Sequence, residues 1–261
     1  FINGQWIKPS SNDQIDVFNP SNEEVIDSIV AGNKSDIDEA VSSAKNAFQS
    51  FSVTDINYRI KLLDRISDIF DSRAKDLAKI VSEEMGAPLW LSEVAHIPNG
   101  VVHFRKTSEV LSDYSFVYPQ DDYEIHKEPI GVVGMITPWN WPFNQMCTKI
   151  ASALGAGCTM ILKPSEISPF SAIALTEILE EAEVPKGVFN LVHGYGPIVG
   201  AALSEHDDVD MMHFTGSTRA GIAVAQASAP SVKRVCQELG GKSANIILDD
   251  ADITKAVSAG A

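Results

Sequence analysis

The chain has 261 residues, 44% hydrophobic and 21% charged, which is enough apolar material for one large domain or two modest ones. With 35 acidic against 20 basic residues the formal charge is -15, and such a field repels phosphate backbones and anionic lipid surfaces, so nucleic-acid and membrane partners are not expected. Cys147, Cys158 and Cys236 form neither CxxC nor zinc-ligand spacing, no apolar run has bilayer length, and FINGQWIKPS lacks a signal-peptide pattern; a cytoplasmic protein in a reducing compartment is expected.

In chain order, FINGQWI with its Asn-Gly turn, IDVFNP and EVIDSIVAG read as short strands of an antiparallel layer. A helix is expected from Ser35, with Asp38 completing a capping box and Ala40, Ala44, Ala47 and Phe48 as its apolar stripe. More helix follows through Ile60, Leu63, Ile66 and Phe70, then Leu77, Ile80 and Val81, until Met85-Gly86-Ala87-Pro88 breaks it. YSFVYPQDDYEIHKEP is extended and polar, and predicts a hairpin that stands out from the surface at a subunit contact. After Pro129 apolar β-rich runs alternate with helical ones: IGVVGMI, TMILKP, FNLVHG, MMHFTG and KRVCQEL, separated by four helical stretches. Such a series predicts a parallel sheet covered on both faces, with ligands bound at the carboxyl ends of its strands. The chain opens on Phe1 and stops at Ala261 inside a helical run that Asp250 or Asp252 would cap, so a longer natural protein is expected.

The candidate site residues lie in the loops after these strands. Phe214-Thr215-Gly216-Ser217-Thr218-Arg219-Ala220-Gly221 joins a strand to a helix: Gly216 permits a tight turn, and Ser217 with free N–H groups suits an anion, although a plain turn with Ser217 as N-cap fits as well. Gly194-Tyr195-Gly196 with Gly200 is spaced one residue too widely for GxGxxG. Thr137-Pro138-Trp139-Asn140-Trp141-Pro142 forms a rigid wall, in which the Asn140 amide can steady a developing oxyanion or merely satisfy loop backbone. Lys163-Pro164-Ser165-Glu166 offers a Lys–Glu pair for a ribose diol, and Glu238-Leu239-Gly240-Gly241 a carboxylate at a strand end that could serve as a general base. Asp249, Asp250 and Asp252 read as helix caps, the run Asp207 to Asp210 as a solvated loop, and all three cysteines as packed rather than reactive. No histidine has an HExxH-like neighbour and there is no Walker loop.

Together TPWNWP, KPSE, FTGSTRAG and ELGGK, in this order, closely resemble the aldehyde dehydrogenase superfamily, essentially from Phe1 to Ala261. The resemblance implies an α/β, doubly wound, Rossmann-like sheet with an N-terminal helical layer and a protruding oligomerisation hairpin. It divides the chain into β pieces and helices of the NAD-binding domain (1–113), the hairpin (114–128), the βα core (129–240) and the start of a catalytic domain (241–261). It implies Asn140 as the oxyanion-stabilising amide, Glu238 as general base, and Ile136, Thr137, Pro138 and Trp139 lining the cofactor cleft. Lys163 and Glu166 would hold the adenosine ribose and Gly196 would pack near the adenine. Phe214 and Thr215 lead into the pyrophosphate turn of Gly216, Ser217, Thr218 and Gly221, and Leu239 would sit by the nicotinamide.

The implied activity is NAD-dependent oxidation of an aldehyde, in a homo-oligomer (dimer or tetramer), with no metal. The family's cysteine nucleophile lies after ELGGK, where this chain has none, so the 261 residues alone are expected to be inactive. Two other readings compete: a CoA-acylating relative, disfavoured by Glu238 because those relatives lack that glutamate, and a short NAD-binding or scaffolding protein. Asn144, Gln145 and Thr148, one turn past Asn140, predict a polar tunnel wall and a small polar aldehyde.

Overall fold

The structure is a computed structural model that describes residues 1–260. Its centre is a parallel sheet of five strands, β5 (Val132–Ile136), β6 (Thr159–Lys163), β7 (Phe189–Leu191), β8 (Met211–Gly216) and β9 (Arg234–Leu239), in the order β7-β6-β5-β8-β9. The first of these strands, β5, is thus in the middle, and the chain winds outward from it in both directions. Two smaller antiparallel pairs precede the sheet: β1 (Gln14–Asn19) with β2 (Glu24–Val30), and β3 (Val117–Gln120) with β4 (Tyr123–His126).

Alternation along the strands builds two cores. Val133, Met135, Met160 and Leu162 face one side, where they meet Leu63, Ile66 and Phe70 of α2 (Ile56–Ser72), Phe104 of α5 (Ile97–Asp113), Ile150 of α6 (Pro142–Ala156) and Leu175 of α7 (Phe170–Glu181). Val132, Ile136, Ile161, Met212 and Phe214 face the other, against Ile37 and Val41 of α1 (Lys34–Phe51), Leu203 of α8 (Ala201–Glu205) and Val224 of α9 (Thr218–Ser228). Each of these side chains contributes roughly 1.5–3 kcal/mol by leaving water, so the apolar runs are held in the sheet by both faces at once.

Several local expectations change in the structure. The capping box of α1 belongs to Asn33 and Asp36, not to Ser35 and Asp38: Ser35 N donates to Asn33 Oδ1 (2.8 Å) and Asn33 N to Asp36 Oδ2 (2.7 Å). Asp36 also accepts from Ser10, which anchors the N-terminal segment and makes this pair the better cap. The run Asp207 to Asp210 is not merely solvated: Val209 is buried, Asp208 pairs with Lys45, and Asp210 Oδ2 accepts from Val132 N (2.8 Å), fixing the start of β5. Asp252 caps α10 (Ile253–Gly260), its Oδ1 accepting from Lys255 N (3.2 Å).

The break at Met85 is a helix end: α3 (Ala74–Met85) stops at Gly86, whose φ of 82° only glycine adopts without strain, and Pro20 packs on it. From there α4 (Leu89–Leu91) runs through a π-helical turn, Ser92–His96, into α5. Strands β3 and β4 form a hairpin closed by Asp121-Asp122, with Asp121 in the left-handed region, and most of its surface is exposed. At the sheet margin, the Phe1 amine donates to Leu191 O (3.0 Å) and Leu191 N to Phe1 O (2.8 Å), which covers the outer edge of β7; among the described residues β9 pairs only with β8. No helix among them is long and apolar enough to cross a membrane.

Candidate active site

The motifs TPWNWP, KPSE, FTGSTRAG and ELGGK all lie at the carboxyl edge of the one sheet. β5 runs into Thr137–Trp141, β6 into Lys163–Glu166, β8 into Gly216–Ser217, and β9 ends on Glu238 and Leu239. The gap between β5 and β8 is where the strand order reverses, the place where open parallel sheets bind ligands.

The loop after β5 is stiffened from several sides. Thr137 is buried and its N–H donates to Lys163 O (3.2 Å), tying the ends of β5 and β6 together. Ser168 Oγ donates to Trp139 O (3.2 Å). Trp141 takes a left-handed conformation (φ 52°), costly for a bulky residue, and its indole stacks on His96 at 4.0 Å and 15°. That corner starts α6 and leaves Asn140 exposed, beside a half-exposed Trp139.

Lys163 is no solvated surface lysine. It is 3% exposed and its Nζ donates to Glu166 Oε2 (2.9 Å). Burial lowers its pKa while Glu166 raises it, so the pair is held together at the floor of the loop. Glu166 is partly open to solvent, which leaves acceptor capacity for a diol. Gly196 begins a second π-helical turn, Gly196–Gly200, and has open space where a side chain would stand.

At the end of β8, a Cβ on Gly216 would lie 2.6 Å from the Phe214 ring, so no side chain fits there. Ser217 caps α9, its Oγ accepting from Ala220 N (3.2 Å), and the remaining N–H groups of the first turn point out at the carboxyl edge. Gly221 lies a turn further in, where a Cβ would meet Leu239 at 2.5 Å; its role is to let β9 approach α9. A buried lysine paired with a partly open glutamate, a bare glycine floor and a helix N-terminus along one edge fit an extended cofactor carrying a ribose diol and phosphates.

The most informative residue was invisible to the sequence reading. Lys149 sits mid-way along α6, is 2% exposed, and its Nζ donates to Thr215 Oγ1 (2.7 Å) on β8. Register pairs His213 with Cys236 and Thr215 with Glu238, so these four side chains share the sheet face under Lys149. Burial lowers the Lys149 pKa to about 8, partly offset by Cys236 and Glu238, and burial together with the Lys149 charge pushes His213 down to about 4. Cys236 is therefore not packed away as expected but half-buried on this polar face, while Cys147 and Cys158 are buried with thiol pKa values raised by desolvation. Asn144 is engaged by the neighbouring helix, His103 Nε2 lying 2.8 Å from its Oδ1.

Comparison with known proteins fits this geometry. The Aldehyde dehydrogenase family matches residues 6–261. The chain is 50% identical over its whole length to 3-succinoylsemialdehyde-pyridine dehydrogenase of a Pseudomonas species, covering 55% of that protein. Among solved structures it superposes on aldehyde dehydrogenase C of Pseudomonas syringae, a cysteine-to-alanine variant holding NAD+ and octanal, with a TM-score of 0.98, 46% identity and coverage of 100% of this chain and 54% of that one. Betaine aldehyde dehydrogenase of Staphylococcus aureus, in complex with NAD+, gives a TM-score of 0.95 at 36% identity, with 99% of this chain and 52% of that one covered. The chain spans about half the length of the relatives it matches. With the family's sequence pattern along nearly all of it and the backbone of its solved members, the chain belongs to the aldehyde dehydrogenase family.

Proposed function

We propose that this chain is the NAD-binding part of an enzyme that oxidises an aldehyde to a carboxylic acid through a cysteine thioester, with the nucleophile outside these 261 residues. The observation that carries the reading is that four loops lie along one sheet edge, among them the one that joins buried Lys163 to Glu166. NAD, when bound, accepts the hydride that leaves the aldehyde carbon.

The chain's own residues then divide the work. Lys163 and Glu166 would hold the adenosine ribose, Gly196 would leave room for the adenine, and Gly216, Ser217 and Thr218 would offer backbone N–H groups to the pyrophosphate, with Gly221 setting the helix behind them. Ile136, Thr137, Pro138 and Trp139 would wall the cleft, Phe214 and Thr215 lie near the end of the strand beneath it, and Leu239 would sit by the nicotinamide. Asn140, exposed on a stiff loop, donates its amide N–H to the oxyanion, and Glu238 takes a proton from the water that cleaves the thioester. Cys147 and Cys158 are too buried to serve as nucleophile.

Residues 114–128 are proposed as the strand pair through which copies of the protein associate, because the hairpin stands exposed with apolar Val117 and Tyr123 on its surface. The segment from Gly241 onward, with Ile246, Ile247 and Leu248 exposed, is proposed as the start of a second, catalytic domain.

Replacing Glu166 tests the cofactor assignment. Its carboxylate accepts from a ribose 2′-OH but repels a 2′-phosphate, so Glu166→Ser in the complete enzyme should raise the ratio of NADP to NAD efficiency by roughly tenfold or more. An unchanged ratio of kcat/KM values removes Glu166 from the ribose.

A further inference from the structure

A buried carboxylate of α3 lies outside the proposed chemistry. Glu84, in the last turn of α3, is 1% exposed, and among the described residues no lysine, arginine or histidine pairs with it. Its partners are all at the start of α7: Oε2 accepts from Phe170 N (2.6 Å), Oε1 from Ser171 N (3.0 Å), and Oε1 also from the Ser171 hydroxyl. Helix α7 has no side-chain cap of its own, because Pro169 stands at the N-cap position. A residue far away in sequence therefore supplies the cap, and it satisfies two of the N–H groups that a helix start leaves free.

What α7 follows gives that cap its meaning. Only Pro164–Pro169 separates β6 from α7, and this stretch includes Glu166, the partner of Lys163, and Ser168, which donates to Trp139 O. One end of the loop is set by the sheet at Lys163; the other is set by the Glu84 carboxylate. Glu84 is in turn fixed, since the adjoining Gly86 packs its left-handed turn against Pro20 at the β1–β2 corner.

We infer that Glu84 is a positioning residue for cofactor binding: by clamping the start of α7 it holds the Lys163–Glu166 loop in the shape that receives the adenosine ribose. The inference rests on the proposed ribose role of Lys163 and Glu166. Glu84 touches no cofactor and acts only through α7, so its loss should weaken the adenosine half of NAD and leave the nicotinamide half alone.

Glu84→Gln is a discriminating substitution. It keeps the length and volume, but one acceptor oxygen becomes an N–H₂ donor facing the donors of Phe170 and Ser171, so one anchor is lost. The measurement is calorimetric binding of AMP and of nicotinamide mononucleotide, separately, to the full chain, with thermal unfolding recorded for each variant. The expected result is a loss of about tenfold in AMP affinity with nicotinamide mononucleotide unchanged within twofold. Ser171→Ala, which removes one bond only, should lower AMP affinity by about two- to fourfold, and it is the variant to read if Glu84→Gln does not fold. Unchanged AMP affinity in a folded variant, or equal losses for both halves, overturns the inference and leaves Glu84 a stabilising cap. Glu166→Ser run in parallel separates the two ideas: if it leaves AMP affinity untouched, the ribose assignment itself fails, whatever Glu84→Gln does.

Discussion

Glu238 and Lys149 meet on one face of the sheet, and each carries a test of the site at the level of a single group. Gln at position 238 keeps the shape but cannot take a proton, so in the complete enzyme Glu238→Gln should leave a rapid burst of NADH, up to one per active site, followed by turnover slowed by ~10²- to 10⁴-fold. Rapid-mixing absorbance at the NADH band reads both phases, and steady turnover like the wild type removes Glu238 from the mechanism. Lys149 offers a pH test. Its folded pKa is about 8 against 10.5 for a free lysine, so between those values the unfolded chain binds a proton that the folded chain has released. Stability therefore gains from this group as pH rises through that window. Relative to Lys149→Met, the wild type should gain on the order of 3 kcal/mol between pH 7 and 10.5, read as the difference in urea-unfolding free energy. A constant difference across that range means that Lys149 is not desolvated in the folded chain. Glu238 was legible in the sequence because it stands beside a Gly-Gly pair at a strand end. Lys149 was not, since a lysine inside an apolar helical run looks like an ordinary solvated face until β8 and β9 are laid beneath it.

At the level of elements, close approach of helix to strand decides where side chains of the cleft stand. Gly221 is the point of contact between α9 and the end of β9, with Leu239 Cδ2 only 2.5 Å from where a Cβ would sit. Leu239 is exposed, so it can swing away at little cost, and alanine is favoured over glycine within a helix by up to about 1 kcal/mol. Gly221→Ala should therefore leave unfolding stability within about 1 kcal/mol of the wild type while displacing Leu239 and weakening NAD binding several-fold. Calorimetry beside thermal unfolding checks both halves; a stability loss well above that range with normal binding would make Gly221 a packing residue only. The strands and helices after Pro129 were readable because all-apolar runs of strand length alternate with amphipathic ones and end in Gly or Pro. The π-helical turns at Ser92–His96 and Gly196–Gly200 were not, since the sequence there keeps helical spacing and only the hydrogen bonds shift. The start of α1 was misplaced by two residues because Asn33 and Ser35 are both good caps, and the choice is made by Asp36 reaching Ser10.

For the molecule as a whole, the hairpin of β3 and β4 is the part that the rest of the fold does not require. Replacing residues 117–126 by a short Gly-Ser link in the complete protein, which keeps Phe116 on the core, should lower its mass in sedimentation equilibrium by a factor of two or more, while thermal stability of the sheet domain changes little. An unchanged mass moves the subunit contact elsewhere. Fold class was legible at this scale because the winding of a βα series around β5 follows from connection rules and not from fine packing. The boundary between the two cores was not, as it depends on which face each strand residue takes. The strand order has a further consequence for how the chain behaves in solution. One margin of the sheet is sealed by the chain's own first residues, and the other, β9, is paired on a single side. Among the described residues, the sheet edge left for a further strand is therefore the one along Arg234–Leu239. Exposed Arg234 and Glu238 put a charge near each end of that strand, which opposes edge-to-edge pairing with a strand of another molecule.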